Sequence, residues 1–427
     1  MSRFFAVLLL VLVSFGWVGC TGSSNGTTVL RVANWGGAGD DSEFRTTTRE
    51  LLREFEEANP GVKVQVEGIP GSQEYVSKLL LSFIAGAEPD IITLDASSAA
   101  VFIDNKVLAD LTPLIAADPT FQLDDYYPNV VDIARREQAL YAIPSDFTPM
   151  VMYYNKRLFD EAGVPYPQPG WTYADFLNKA KRLTGGDRYG FKFSNWMPGW
   201  IMWLWNNGGD VLTPDGKRAQ GAFDSAECIE AVTFLSDLIE KHRVAPNLSA
   251  AAAMGVDLFT TGRAAMEVSG HWALVGYSVA PKGPDGQPLL RLEDVGVVEL
   301  PSQTGKSVTV MYEAGYAIGR NCDKKELAWK FIKHMTSRDA QTRLNKTGIA
   351  VSARKDVSQA RATDPRERVF LDIVPSARAP WGSRVEGYDF VETTGQKMMD
   401  AVLQSGVSPA EALRTAARRI DEDFARR

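Results

Sequence analysis

Near its N-terminal end the chain alternates between predicted strands and predicted helices, and this alternation decides its fold class. Alternating apolar residues predict strands over residues 29–33 and 62–66, and an apolar run predicts a buried strand over 90–94. Apolar residues at helical spacing predict helices over 50–58 and 75–85 between these strands. Strands that alternate with helices favour an α/β domain with a largely parallel sheet.

The size of the chain predicts two domains. The chain has 427 residues, more than a single hydrophobic core usually organises. Its formal charge is −7, and because the first nineteen residues hold one arginine and no acid, the remainder carries −7 − 1 = −8. Phosphate backbones bind positive surfaces, so this balance disfavours nucleic acid. We therefore expect no nucleic-acid partner.

The first twenty residues predict export. Arg3 precedes an apolar run over residues 4–15 that is short for a membrane span, and small residues then lead to Cys20. This pattern predicts a bacterial lipoprotein, with a signal peptide over 1–19, a lipid on Cys20 and a flexible tether over 20–28. Trp17 stands where such signals usually have leucine, so an ordinary signal peptide with an incidental cysteine stays open. Both interpretations place the protein outside the cytoplasmic membrane.

The other cysteines and the histidines predict neither a metal nor a cofactor. His242, His271 and His334 lie far apart, and none has a cysteine or carboxylate at the spacing of a metal site. Cys228 and Cys322 could pair in an oxidising compartment or stay separate as buried thiols. The sequence leaves both possibilities open for this pair.

Tryptophans at predicted loops and element ends indicate a binding site for a sugar. They are Trp35, Trp196, Trp200, Trp272 and Trp381. Indole faces stack on the C–H faces of a sugar ring, while carboxylates, amides and guanidinium groups bond its hydroxyls. The polar candidates are Gln73, Asp95, Asp146, Glu313 and Arg384. Trp35 and Asp95 each follow a predicted strand, at the sheet edge where α/β proteins bind ligands.

The sequence offers little for catalysis. It holds no Gly-x-Ser-x-Gly elbow, no P-loop and no dinucleotide-binding glycine pattern. Asp95, Asp146 and Glu313 could supply the paired carboxyl groups of a glycosidase, but carboxylates that clamp a ligand look the same in sequence. We expect no catalytic residue.

Four motifs in a fixed order resemble those of one protein family. They are Ala142-Ile143-Pro144 with Met152-Tyr153-Tyr154-Asn155, Trp205-Asn206-Asn207-Gly208-Gly209-Asp210, Phe259-Thr260-Thr261-Gly262-Arg263-Ala264-Ala265-Met266 with Ser269-Gly270-His271-Trp272, and Ser405-Gly406-Val407-Ser408-Pro409 with Glu411-Ala412-Leu413. With them, most of the chain resembles extracellular solute-binding proteins of family 1, the carbohydrate-binding components of ABC importers. This resemblance implies a periplasmic-binding-protein fold, with two α/β lobes joined by hinge crossovers and a ligand cleft between them.

The resemblance also implies the lobe boundaries and the roles of the candidate residues. Residues 29–146 and 295–318 would form the first lobe, and 147–294 and 319–427 the second. The implied positions are Trp35 and Asp95 in the first lobe, Asp146 at the first crossover, Trp196 at the tryptophan cluster, Gly270 and Trp272 as the second-lobe platform, Glu313 and Gly315 in the segment where relatives often have a Gly-Gly pair, and Trp381 and Arg384 in a late loop. Ala314 replaces the first glycine of that pair.

The function that the resemblance implies is capture of a sugar or oligosaccharide and its delivery to a membrane permease. We expect a monomer that closes around its ligand and does no covalent chemistry. Indoles and carboxylates also suit cations, so a peptide, a polyamine or another non-sugar solute is the alternative within binding proteins. A secreted glycosidase and a purely adhesive surface lipoprotein are the alternatives from other classes.

Overall fold

The computed structural model describes residues 27–34 and 42–427 of the chain. The predicted signal peptide, Cys20, most of the predicted tether and Trp35 lie outside the described residues, as does the side chain of Gln73. Within this part of the chain, no helix combines the length and the apolar character that a membrane span requires.

The strands are short and lie in three sheets. In chain order they are β1 (Thr28–Asn34), β2 (Val62–Gly68), β3 (Ile91–Asp95), β4 (Arg135–Arg136), β5 (Ala139–Leu140), β6 (Ile143–Pro149), β7 (Val151–Asn155), β8 (Met266–Ser269), β9 (Val295–Val298), β10 (Thr309–Ile318), β11 (Val351–Ser352) and β12 (Ala377–Arg378). The small pair β4–β5 is a two-stranded sheet of its own.

Helices fill most of the chain between the strands. In chain order they are α1 (Glu43–Ala58), α2 (Ser72–Ile84), α3 (Ala99–Asp104), α4 (Thr112–Ala117), α5 (Pro128–Val131), α6 (Lys156–Glu161), α7 (Tyr173–Leu183), α8 (Met197–Trp205), α9 (Ala226–Glu240), α10 (Leu248–Ala253), α11 (Ala273–Ser278), α12 (Lys325–Met335), α13 (Arg338–Lys346), α14 (Lys355–Gln359), α15 (Pro365–Asp372), α16 (Tyr388–Ser405) and α17 (Pro409–Phe424). Short 3-10 helices cover Leu123–Asp125, Asp132–Ala134, Leu292–Asp294, Val374–Ser376 and Trp381–Ser383.

The sheet of the first lobe has seven strands and mixed directions. Its order is β11-β6-β10-β3-β1-β2, with β12 beside β10. β1 pairs in parallel with β2 and β3, whereas β10 runs antiparallel to both β3 and β6. The expectation of a largely parallel sheet therefore holds for β1, β2 and β3 but fails where β10 pairs with β3 and β6. The reason is that β10 enters the sheet from the other lobe and runs against its neighbours.

The second lobe is built around a three-stranded antiparallel sheet in the order β8-β7-β9. This corrects two expected lobe boundaries: β9 belongs to the second lobe because it pairs with β7, although 295–318 was expected in the first, and β6 of the first sheet continues past residue 146 to Pro149.

Two crossovers join the second lobe to the first lobe side by side. Met150 alone separates β6 of the first sheet from β7 of the second, and its backbone N–H donates to Val310 O at 3.0 Å. The hydroxyl of Thr309, at the start of β10, donates to Met150 O at 2.6 Å. Paired strands that pass between lobes are a natural place for a hinge.

Two apolar clusters form the cores. One surrounds the seven-stranded sheet and includes Phe55, Phe147 and Phe331. The other lies among α7, α8, α9, α16 and α17 and includes Phe176 and Trp203. In both lobes, helices pack over a sheet, as expected for the α/β class.

Helices α12 and α13 belong to the first lobe, which corrects the expectation that all of 319–427 lies in the second. Phe331 of α12 packs edge-on against Phe55 of α1, with ring centres 5.2 Å apart. Arg343 of α13 pairs with Glu54 of α1 at 2.9 Å. The physical reason is that β10 ends inside the first sheet, so the helices that follow it pack beside α1. Helices α16 and α17 lie in the second core.

Cys228 and Cys322, whose pairing the sequence left open, are both free and buried. Cys322 lies in the first core and Cys228 in the second. A disulfide between them is excluded because the two side chains belong to different cores.

Candidate functional site

A cavity of about 1290 Å³ is lined by residues of both lobes. The carboxyl ends of β1, β2 and β3 meet at one edge of the first sheet, and Asn34, Gly68 and Asp95 are the last residues of these strands. All three line the cavity. It therefore lies where ligands bind in α/β proteins, at the carboxyl ends of parallel strands.

Asp95 and Asp146 stand on either side of β10. Ala314 pairs with Asp95 of β3 on one side and with Asp146 of β6 on the other. Asp95 Oδ1 accepts hydrogen bonds from the backbone N–H of Ser97, at 2.8 Å, and from the Ser97 hydroxyl. The Ser145 hydroxyl donates to Asp146 Oδ2 at 2.6 Å. Both aspartates are half-buried and line the cavity.

Burial raises the pKa of both aspartates. The pKa of Asp146 rises to about 6 because burial disfavours its charged form and the nearby Asp95 adds repulsion, against the hydrogen bond from Ser145. The pKa of Asp95 also rises through burial, although its bonds from Ser97 oppose the change. An ionised carboxyl group only accepts hydrogen bonds, whereas a protonated one can also donate one.

Glu313 is the most unusual carboxyl group among the residues that line the cavity. It is 2% exposed, and neither of its carboxyl oxygens has a hydrogen-bond partner within the described chain. Burial raises its pKa well above the ordinary value, and Asp95 and Asp146 raise it further. A buried polar group without a partner is costly, so such a group needs an explanation in function.

Gly315 makes room for Glu313 and does not itself line the cavity. A Cβ atom at Gly315 would lie 2.6 Å from Glu313 Oε1 and 2.8 Å from Ile143 O. Only glycine fits at this distance. The expectation that Gly315 contacts ligand is corrected to a supporting role.

An aromatic group stands beside the carboxyl groups. The rings of Trp196 and Trp272 are 6.1 Å apart and edge-on, and Trp196 stacks on Tyr312 with centres 6.5 Å apart. Trp272 and Tyr312 line the cavity, and Trp196 is 40% exposed. Gly270 is needed here because a Cβ on it would lie 2.3 Å from the Trp272 ring. Gly270 thus supports the indole and does not line the cavity.

Trp200 is not part of this group, which corrects the prediction that it binds ligand. Its side chain is 0% exposed within the second core. Its Nε1–H donates to Asn195 Oδ1 at 3.1 Å. An indole enclosed in this way cannot offer a face to a solute.

Trp381 and Arg384 also lie apart from the cavity. The Nε1–H of Trp381 donates to Asp210 Oδ1 at 2.8 Å, and the Arg384 guanidinium lies 4.4 Å above the Trp381 ring. Both border a second, smaller cavity of about 410 Å³ that Asp210 also lines. This pair does not line the larger cavity, and its contact with the ligand stays a prediction.

Two residues near the carboxyl groups escaped the sequence analysis. Tyr312 sits next to Glu313 on β10, so the segment that pointed to Glu313 could have indicated it. Glu392 of α16 is half-buried, and burial together with Asp95 and Asp389 raises its pKa to about 8. No sequence signal marked Glu392, because it lies on a long helix far along the chain.

Among the described residues, the carboxyl groups that line the cavity are not close enough together to form a group of three metal ligands. Within the described chain, Asp90, Cys322 and Asp323 are the group of three possible ligands close enough together for an ion. Lys324 Nζ lies 2.8 Å from Asp90 Oδ2 in an ion pair. The cavity instead offers aromatic faces and separated carboxyl groups, which suit a ligand rich in hydroxyl groups.

Comparison with known proteins agrees with the two-lobed fold. The chain matches the family model for the bacterial extracellular solute-binding protein over residues 38–342. In structure it is similar to an ABC substrate-binding protein from Listeria monocytogenes in complex with cycloalternan, with 24% identity, a TM-score of 0.80 and coverage of 93% of this chain and 99% of that chain. It is also similar to the sugar-binding protein MalE of the phytopathogen Xanthomonas citri, with 22% identity, a TM-score of 0.79 and coverage of 93% and 98%.

A mannitol-binding protein from Pseudomonas aeruginosa is 25% identical to the chain over 300 residues, which are 68% of this chain and 65% of that protein. These likenesses support the two-lobed fold. Because the family model spans well over half of the sequence, the chain belongs to the bacterial extracellular solute-binding proteins.

Proposed function

We propose that this protein captures a sugar or an oligosaccharide outside the cytoplasmic membrane and delivers it to the permease of an ABC importer. The observation that carries the proposal is the pairing of aromatic faces with carboxyl groups around one cavity. Trp272 and Tyr312 offer faces for the C–H surface of a sugar ring, and Asp95 and Asp146 offer oxygens for its hydroxyls.

The size of the cavity supports a ligand of more than one ring. Its volume of about 1290 Å³ exceeds the roughly 300–1,000 Å³ of common small-molecule sites. The similar proteins named above include one in complex with cycloalternan, one named as a sugar-binding protein and one named as a mannitol-binding protein. These names support a polyol or a saccharide as the ligand class.

Delivery follows from the hinge between the lobes. Binding that contacts both lobes stabilises the closed form, and a permease that recognises the closed form receives only loaded protein. The paired crossovers at Met150 and Thr309 are where we place the bending. We also propose that a lipid on Cys20 anchors the chain to a membrane, and that Asp95, Asp146 and Glu313 hold hydroxyl groups without breaking bonds.

A solute with a protonated amine is the second candidate. Burial and then repulsion from Asp95 raise the pKa values of Asp146, Glu313 and Glu392, and a positive charge placed among these carboxyl groups would offset that repulsion. Indole faces also attract cations. A polyamine or an amino sugar would meet both features.

The proposal is tested with the chain from Thr21 onward and a panel of monosaccharides, oligosaccharides and polyamines. Tryptophan fluorescence and melting temperature report binding, because a ligand of the folded state raises the melting temperature. We expect saturable binding of one saccharide, lost in Trp272→Ala and retained in Ile84→Ala, which alters an exposed residue of α2. Binding of polyamines alone would favour the second candidate, and conversion of a sugar to product would contradict the binding role.

A further inference from the structure

His271 lies at a junction of the two lobes, beside the indole that lines the cavity. It follows β8 and precedes Trp272, and its side chain is 0% exposed. Its ring lies 4.8 Å from the ring of Phe370, edge-on. A fully buried imidazole of this kind must find partners for both of its nitrogens within the protein.

Both ring nitrogens of His271 face oxygen atoms that accept hydrogen bonds. Nδ1 lies 2.9 Å from the backbone oxygen of Gly348, and Nε2 lies 3.0 Å from Oε2 of Glu367. A neutral imidazole carries one N–H and one bare nitrogen, so it could satisfy one of these contacts and would set a lone pair against the other oxygen. An imidazolium donates to both.

The contacts of Glu367 with Arg361 and His271 favour the ionised form of its carboxyl group. Its Oε1 accepts a hydrogen bond from Nη2 of Arg361 at 2.5 Å, while Oε2 faces His271. Burial alone would raise the pKa of Glu367, but the hydrogen bond and the charge of His271, with the charge of Arg361, hold it below the ordinary value. An ionised Glu367 leaves His271 as the donor at Nε2.

Groups of both charges surround the His271 ring. Gly348 lies just beyond the C-terminal end of α13, where a helix carries partial negative charge. Arg361 also donates to this end, from Nη1 to Asn345 O at 2.5 Å. From the α14–α15 side, Arg366 is paired with Asp364 at 2.8 Å and so leaves the local balance unchanged.

The same histidine fixes the turn that carries Trp272. Its backbone N–H donates to the hydroxyl of Thr148 on β6 at 2.8 Å. The hydroxyl of Tyr153 on β7 donates to Gly270 O at 2.9 Å. Gly348 adds a third attachment, and it follows α13 of the first lobe.

We propose that His271 is a positioning residue whose ring and backbone tie the turn bearing Trp272 to the end of α13 and to Glu367. The tie spans the two lobes and sets the orientation of the second-lobe indole relative to the first-lobe carboxyl groups. It concerns the protein alone and holds whichever solute the cavity takes.

The contact between His271 and Glu367 is tested by nitrogen NMR of the imidazole rings in the chain from Thr21. We expect Glu367→Gln to shift the Nε2 resonance of His271, which faces Glu367 Oε2. The same variant should leave the Nε2 resonance of the control His334, which contacts Leu51 O, in place. An unmoved His271 resonance would overturn the proposal.

The positioning role is tested by the indole N–H resonance of Trp272, assigned through its loss in Trp272→Phe. We expect His271→Gln to shift this resonance and His334→Gln to leave it in place. Should His271→Gln fail to fold, Glu367→Gln provides the second variant. An unmoved Trp272 resonance in the folded variants would refute positioning. Neither measurement uses a solute. A negative result for His271 is therefore independent of whether the saccharide panel shows binding.

Discussion

Asp95 and Asp146 flank the same residue, Ala314, from strands on opposite sides of β10. Each aspartate therefore lies on a strand that pairs with β10. The charge of each aspartate disfavours ionisation of Glu313 on β10 and so raises its pKa, in addition to the effect of burial. Like-charged groups at this separation are a cost that a folded protein keeps only for a purpose. The predictions below follow from this arrangement and from the indole beside it.

Asp146→Asn should change how stability depends on pH. The pKa of Asp146 is raised from 3.8 to about 6, so the folded state binds this proton more tightly than the unfolded state. Its stabilising effect is therefore complete below about pH 4 and is lost as the pH rises to about 6. In Asp146→Asn this part of the fall in unfolding free energy should be absent. At neutral pH the variant should therefore be more stable than wild type by on the order of 2 kcal/mol.

Urea unfolding between these pH values measures the effect of Asp146→Asn. Asp323→Asn is the matched control, since the Asp323 side chain is 88% exposed. An equal decline in the unfolding free energy of wild type and Asp146→Asn would show that Asp146 is not responsible.

Glu313→Met should stabilise the protein and weaken solute binding. Methionine fills similar space without burying an unpartnered carboxyl group, and removal of such a group stabilises by about 1–3 kcal/mol. The carboxyl group is then absent from the cavity, so affinity should fall by at least about tenfold, or 1.4 kcal/mol. Thermal melting and titration with the bound saccharide measure both effects, and a lower melting temperature would contradict the account.

Gly270→Ala should displace Trp272. The added Cβ would lie 2.3 Å from the indole ring, a distance that requires movement. We expect a destabilisation of about 1–3 kcal/mol and loss of saccharide affinity. Gly276→Ala in α11 is the control, because nothing lies within 4 Å of its added Cβ. Equal behaviour of the two variants in melting and titration would count against the role of Gly270.

Trp200→Phe and Trp272→Phe should separate stability from binding. Trp200 is fully buried in the second core, so its replacement should cost about 1–3 kcal/mol of unfolding free energy and leave affinity unchanged. Trp272 lines the cavity, so its replacement should lower affinity with little effect on unfolding. The reverse pattern in paired melting and binding measurements would contradict the placement of the two indoles.

Local sequence pattern predicted much of the first lobe. The strands expected over 29–33 and 62–66 are β1 and β2, because alternation of apolar residues is a local property of each strand. Helix α1 begins at Glu43, earlier than the predicted residue 50, and its fully buried residues are Leu51 and Phe55. The turns of α1 before Leu51 hold no fully buried residue, so apolar spacing could not show that the helix begins at Glu43.

Long-range placement could not be predicted from the same pattern. The insertion of β10 between β3 and β6 depends on contacts with strands far away in sequence, and it made the sheet mixed. The same insertion carries α12 and α13 into the first lobe. Apolar spacing predicts a helix but does not say which core the helix covers.

The tryptophans show a similar limit within the site. Trp196 and Trp200 are four residues apart, a spacing that puts two side chains on the same face when both lie within a helix. Trp196 is instead the N-cap residue of α8, with φ −130°, so its ring leaves the helix while Trp200 is enclosed. The direction of a side chain at a helix end depends on the cap, which sequence spacing does not determine.

The most direct test of the central claim is calorimetric titration of the saccharide that most raises the melting temperature, followed by recovery and mass analysis of that saccharide. We expect one saturable site per chain, affinity at least about tenfold weaker in Trp272→Ala, and saccharide recovered unaltered. Equal affinity in the variant, or recovery of a cleaved saccharide, would contradict the account.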